Sequence, residues 1–452
     1  MNLTALGFGG LLALAASVPE AAAAEVTFNR QIAPIIYQNC SACHRPGEAA
    51  PFSLLSYADV AKKGKQIAKV TASRFMPPWK AEPASFAYRD ERRLKDADLA
   101  LIQEWVQAGM PEGKPEERPQ PPQFPSGWRL GEPDLVVELP KAYHVPADGP
   151  DIYRNLAVPL GLSEEKWLTA IDMRPTARGV VHHVLYFADP SGAAHQRGKP
   201  GEEPGFSGMR PGGKVVPLGG WAVGAQPHFF PEGLALNVPK GSDLVIQYHF
   251  HPSGKPEAEK SLVGLYFAKQ PPARTLTRIQ MPPDYSLFSD LNIPAGQKDF
   301  VIRDTFKLPR AVAAVGVGAH AHYLATIMKM TAKFPGGEEK TLLNIQDWDF
   351  AWQDRYFFKE FQVLPAGTEL QVELHWDNSA GNPRNPSNPP VAVEWGEATK
   401  DEMGSISLLA VPEKEAELSE LNQGLRRRQQ LARQKVFTDP ALAQKVARLM
   451  AQ

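Results

Sequence analysis

Cysteine occurs twice in this 452-residue chain, and both copies fall in one short run, Cys40-Ser41-Ala42-Cys43-His44. The rest of the chain has no thiol left for a disulfide, a zinc site or nucleophilic catalysis, so whatever it folds into must hold by packing alone. The run itself is a Cys-x-x-Cys-His motif, the attachment signature of a c-type haem. Each thiol can add to one vinyl group of the porphyrin, and the adjacent imidazole reaches the iron from the same side. A redox dithiol would not require the following histidine, and zinc would want two more soft ligands nearby. One covalently bound haem c, held by Cys40, Cys43 and His44, is the expectation.

At a prior of about 150 residues per domain, the length suggests about three domains. A net charge of −1 gives no basic surface for nucleic acid or for an anionic membrane. The 43 prolines and 36 glycines disfavour a mostly helical protein and suit short strands joined by turns. Residues 1–24 read as a signal peptide, with an apolar run from Leu3 to Val18 and then Ala22 and Ala24 as a small-x-small cleavage pattern. No Lys or Arg precedes the run. Export is expected, to the periplasm in a bacterium, with an uncleaved membrane anchor as the alternative.

Residues 25–115 look like a small class I cytochrome c domain. A first helix over Val26 to Asn39 leads into the haem motif. A last one over Asp96 to Ala108 carries Leu99, Ile102 and Trp105-Val106 at helical spacing, with Gly109 as its stop. The sixth iron ligand should be a thioether or imidazole on a loop between them. Arg74-Phe75-Met76-Pro77-Pro78-Trp79 supplies Met76, and the two prolines keep the backbone extended there. Met110 is the rival, though it lies beyond the last helix. Residues 116–133 carry Pro119, Pro121, Pro122, Pro125 and Pro133 and read as a semi-rigid linker.

Beyond the linker, short β-branched and aromatic runs bounded by turns predict antiparallel sandwiches. Three of these runs carry paired histidines: His182-His183, His249-Phe250-His251 and His320-Ala321-His322. Residues i and i+2 on a strand share a face, so a His-x-His pair is a pre-formed two-nitrogen clip. Adjacent histidines point to opposite faces, so joint ligation by His182 and His183 requires a strand end or a twist. Six of the eleven histidines in three tight pairs argue for metal, and imidazole sets without cysteine suit Cu, Zn or Fe. His144, His195, His228 and His375 are isolated and read as structural or surface residues.

On these residues the stretch from about 130 to 411 resembles the copper type II, ascorbate-dependent monooxygenases, the family of peptidylglycine α-hydroxylating and dopamine β-monooxygenases. The resemblance implies two consecutive antiparallel jelly-roll domains, 134–268 and 269–411, each holding one of two copper ions at a shared cleft. His182 and His183 match the first copper's adjacent pair. His249 matches its third ligand, in Leu244-Val245-Ile246-Gln247-Tyr248-His249, and His251 stays open. His320, His322 and Met403 match the second copper's ligands, with Met403 at the end of Asp401-Glu402-Met403. By the same resemblance O2 is activated at the thioether copper, a substrate C–H bond is hydroxylated there, and the all-nitrogen copper stores the second electron. Gln247 would order water or substrate between the metals, a plain strand residue being the other reading.

Two departures matter. The family's copper domains are rich in disulfides, and this chain has none to form. The peptide-specific enzymes also carry an Arg two residues before the His-x-His pair and an Asn and a Tyr just after the Met. Here those positions hold Gly318, Ser405 and Ser407, which argues against a peptide C-terminal carboxylate as substrate. The expected partners are a small organic substrate, O2 and an external electron donor, either a redox protein or a small reductant. The fused haem would deliver the electrons singly, with tethering raising its effective concentration. The alternative is a multi-centre haem and copper electron-transfer or copper-handling protein without oxygenase activity. Asp377 to Pro386 reads as a turn-rich loop that shapes the cleft. Residues 412–452 read as a charged helical tail, with Arg426-Arg427-Arg428 as a solvated face.

Overall fold

The computed structural model describes residues 25–451 except 49, 126, 199–202, 209, 210, 212–214 and 223–225. The expected signal peptide lies outside the described residues. Sheet dominates, with a few helices near the start and two at the end, Leu418–Thr438 and Pro440–Ala451. No helix among the described residues is long and apolar enough to cross a membrane.

The strands follow their sequence patterns. Glu369–Trp376 alternates, with Leu370, Val372, Leu374 and Trp376 buried and the residues between them less so. Asp243–Phe250 is buried along its whole length because it runs between Ile152–Pro159 and Val181–Asp189 at the centre of its sheet. That sheet continues to Val216–Ala222 on one side and Phe206–Ser207 on the other. It packs on a second sheet built mainly from Leu135–Glu138, Leu262–Phe267, Lys166–Arg174 and Leu234–Val238. Val184, Ile246 and Tyr248 meet Val137, Leu168 and Val263 in one core between the two.

A second pair of sheets repeats the arrangement. Thr277–Met281, Gly404–Pro412, Val312–Ala321 and Arg355–Leu364 form one sheet in that order. Phe300–Lys307, Glu369–Trp376, Ala325–Lys333 and Glu339–Ile345 form the other. Ile279, Val317, Ile406 and Leu408 share a core with Met328, Leu343, Leu370 and Leu374.

Near the start, Ala33–Asn39, Tyr57–Ala72 and Asp96–Gln107 pack around Phe28, Ile36, Ile67, Ile102 and Trp105. The middle helix was not anticipated from the sequence. Ser56 caps it by accepting the Asp59 N–H at 3.2 Å while its hydroxyl donates to the Asp59 carboxylate at 2.8 Å. Its neighbour segment, residues 79–88, leaves the helices altogether. Trp79, Ala81 and Tyr88 are buried in the second β core, and the Tyr88 hydroxyl donates to the Leu342 carbonyl at 2.7 Å.

The Cys40–His44 run is tied to the first pair of sheets. Glu48 accepts from Arg129 and Arg178 at 2.6 Å each and from Arg45 at 2.9 Å. The tail helix packs on the second core through fully buried Leu421. Arg428 is not on a solvated face: it donates to the Gln280 carbonyl at 2.8 Å, pairs with Asp304 and lies over the Phe306 ring. A helix that docks by one side turns part of any arginine triplet inward.

Candidate metal centre

His182 and His183 occupy the strand Val181–Asp189, and His249 occupies its neighbour Asp243–Phe250. Val181 pairs with Phe250 and His183 with His249, which leaves His182 as the extra residue of a β-bulge. A bulge twists its strand locally and re-aims side chains, so two adjacent histidines reach one point. The result is a group in which one ring nitrogen from each of His182, His183 and His249 lies within 4.8 Å of the others. His183 Nδ1 stands 3.1 Å from His182 Nδ1 and 3.3 Å from His249 Nδ1. Two nitrogens each bonded to a shared tetrahedral ion at about 2.0–2.1 Å sit roughly 3.3 Å apart, so the spacing fits a metal.

The electrostatics agree. Burial, reinforced by the neighbouring imidazoles, pushes His182 down to about 4 and His183 well below the ordinary range. Both are neutral at neutral pH, as ligands must be. Asp151, which sequence reasoning missed, accepts the His249 Nε2–H at 2.8 Å and so leaves Nδ1 facing the group. Its other oxygen accepts from exposed His251 at 2.7 Å. His251 therefore stands behind Asp151 and outside the three-nitrogen group. Tyr153 stacks on His249 at 4.4 Å, and its hydroxyl is 2.8 Å from Thr399, which also donates to Asp151 at 3.0 Å. Thr399 lies just ahead of Met403, so this network joins the two pairs of sheets.

His320 is the penultimate residue of the strand Val312–Ala321, and His322 follows the strand's end. Each donates its Nδ1–H to an oxygen, His320 to Gln353 Oε1 at 2.5 Å and His322 to the Asp401 carbonyl at 2.9 Å, which frees both Nε2 atoms. Burial pushes them down to about 4 and about 3. The pairing of Ala321 with Gly404 makes His322 and buried Met403 the next residues along their strands. Buried Glu402 fixes that junction by accepting the backbone N–H of His322 at 3.1 Å, of Leu324 at 2.6 Å and of Met403 at 3.3 Å. Burial pushes its carboxyl up to about 8. Trp348 donates to the His322 carbonyl at 3.0 Å, and Arg384, from the loop expected to shape the cleft, holds the Trp348 carbonyl at 2.5 Å.

The two histidine sets meet across one ring. Phe350 stacks on His182 at 5.3 Å and meets His322 edge-on at 5.7 Å. Gln247 is two residues from His249 on the same strand face, opposite the face that carries Ile246 and Tyr248 into the first core, and its amide donates to Asn155 Oδ1 at 2.9 Å.

In the Cys40–His44 turn, the N–H groups of Cys43 and His44 both donate to the Cys40 carbonyl. His44 Nδ1 donates to the Phe52 carbonyl at 3.2 Å, which leaves Nε2 for iron. Burial pushes the Cys40 thiol up to about 12 and raises that of Cys43, the opposite of an activated redox dithiol. These residues fit a covalent haem. Met76 is half-buried on the loop that continues into 79–88. Met110 packs its sulfur against Gly64, where an added Cβ would collide with it, so its place is a helix contact.

Comparison with known proteins gives one sequence relation of note. Over 209 residues, 42% of this chain, it is 23% identical to DBH-like monooxygenase protein 1 of Gallus gallus. The match spans about a third of that protein, 32% of its length. No family model matches. Among solved structures, similarity to the infectious bursal disease virus VP2 subviral particle reaches 9% identity and a TM-score of 0.19, over 64% of this chain and 74% of that one. Similarity to major capsid protein P2 of bacteriophage PM2 reaches 12% identity and a TM-score of 0.21, over 58% and 97%. Scores this low carry no argument.

Proposed function

We propose that this chain is a copper-dependent monooxygenase of the copper type II family, which hydroxylates a C–H bond of a small organic substrate with O2. The observation that carries the reading is the convergence of His182, His183 and His249 at metal-ligand spacing, one phenyl ring away from His322. The distant relation to a protein named DBH-like monooxygenase supports it. On this reading the two pairs of sheets are jelly-roll domains, 134–268 and 269–411.

His182, His183 and His249 would hold one copper, and His320, His322 and Met403 the other. Copper would supply one-electron redox chemistry, with O2 activated at the softer thioether site. The protein's part is orientation and exclusion. Asp151 sets the His249 tautomer, Gln353 and the Asp401 carbonyl set those of His320 and His322, and Glu402 fixes the backbone that presents Met403. Phe350 stands against both sets, and burial keeps all four shifted imidazoles neutral.

Residues 25–115 would be a class I cytochrome c domain with haem on Cys40, Cys43 and His44 and with Met76 as sixth ligand. It would pass electrons singly from an external donor to the copper domains, after export to the periplasm. Metal analysis tests the site assignment: two coppers per haem in the parent, with affinity lost separately in His183→Ala and Met403→Ala. One copper or none in the parent overturns it. Anaerobic reduction followed by a pulse of O2 tests the reaction, because an oxygenase returns an oxygenated product and a pure carrier only reoxidises.

A further inference from the structure

Near His320, two arginines reach in from the two edge strands of one sheet, near enough for the charge of Arg278 to act on Arg355. Arg355 is the register partner of Gly318 on one side, and Ser407 is its partner on the other. Arg278 reaches the same place from the strand Thr277–Met281, with Nε donating to Ser407 Oγ at 2.8 Å and a second nitrogen donating to the Tyr285 hydroxyl at 3.1 Å. The Tyr285 ring in turn meets His320 edge-on at 5.4 Å. Gly318 and His320 share a strand face, so both cations lie one side-chain step from the second histidine pair.

Among the described residues, neither arginine has a carboxylate partner. Both contacts of Arg278 are neutral hydroxyls. Asp354, next to Arg355, accepts its backbone N–H at 2.9 Å and turns its other oxygen to Arg92. Both side chains are exposed to water. Yet an added Cβ at Gly219, on the first pair of sheets, would lie 3.2 Å from a terminal nitrogen of Arg355. The surrounding protein and the Arg278 charge both lower the Arg355 guanidinium below its ordinary range. A cation that is hemmed in by two bodies of the fold and still wet lines a cleft. Two such guanidiniums side by side repel each other, and a planar anion bridging them removes the repulsion while using their forked donors.

On the reading that His320, His322 and Met403 hold the oxygen-activating ion, we propose that Arg278 and Arg355 bind the carboxylate of an organic acid and so present one of its C–H bonds to that centre. The absence of a side chain at Gly318 does not leave the position uncharged, because the neighbouring strands supply the charge.

Calorimetric titration of the full chain with benzoate and with its neutral isostere benzamide tests this. Benzoate should bind at least about tenfold tighter, the scale of hydrogen bonds to a charged group, and Arg278→Gln/Arg355→Gln should abolish the preference. Should the double variant fail to fold, Arg355→Lys decides, since loss of the fork should weaken benzoate several-fold and leave benzamide unchanged. Equal binding of the two probes by the parent, or an intact preference in the variants, overturns the proposal. Copper counted in the same preparations separates the two readings: a parent that prefers benzoate but holds no copper keeps the anion site and loses the monooxygenase.

Discussion

Asp151 is the residue on which the first histidine group turns. One carboxylate orients His249, holds His251 and accepts from Thr399 of the facing body. Partners of this kind commonly contribute 10–100-fold in metal affinity. On the proposed copper reading, Asp151→Ala should therefore weaken the metal at the three-histidine group by about that factor, measured by competition with a chelator, while His251→Ala should cost little. An equal loss in both would make His251 a ligand. The histidines also set a pH dependence. Their folded-state values lie below the ordinary 6.5, at about 4 for His182 and His320 and about 3 for His322. The unfolded chain then binds more protons between those values and 6.5. Stability of the metal-free protein should be full above pH 6.5 and fall as pH drops towards 4. Thermal unfolding from pH 7.5 to 4.5 checks the sign, and replacing His320 and His322 by Gln should flatten the slope.

At the scale of elements, the sequence told which strands carry histidine but not how they present it. Adjacent His182 and His183 needed a strand end or a twist, and the structure supplies a bulge. Nothing in Val180-Val181-His182-His183 announces one, because a bulge is a property of the register between two strands. A second irregularity, between Ala314 and Gly316, sits upstream of His320. An added Cβ at Gly316 would lie 2.9 Å from the Tyr356 carbonyl oxygen. Gly316→Ala should thus cost about 1–3 kcal/mol and loosen the strand that delivers His320, with copper loss at the second site greater than at the first. Denaturant unfolding and metal titration together check this.

For the whole molecule, the segment 79–88 changes how the electron input must be tested. Removing residues 25–115 would also strip Trp79, Ala81 and Tyr88 out of the second β core. Truncating one buried aromatic of this kind costs about 3–5 kcal/mol, so the deletion should destabilise the second pair of sheets with or without a haem. Cys40→Ala/Cys43→Ala is the cleaner variant. On the proposed function it should abolish turnover with a protein electron donor, leave chemically reduced copper competent, and unfold at a temperature close to the parent's. Equal turnover with that donor would show that the haem is not the input.

The sequence by itself determined the chemical inventory: a haem-type motif, the histidine pairs with Met403, and the alternating runs that become strands. These are local, since motif spacing and strand period are properties of neighbouring residues. Tertiary structure alone decided which nitrogens converge, that Asp151 and Phe350 belong to the site, and that Arg355 and Arg278 flank Gly318. Those contacts join residues from 28 positions apart, Phe350 and His322, to 248 apart, Asp151 and Thr399, and they follow from register, bulges and the packing of one pair of sheets on the other, none of which leaves a mark on a short stretch of chain.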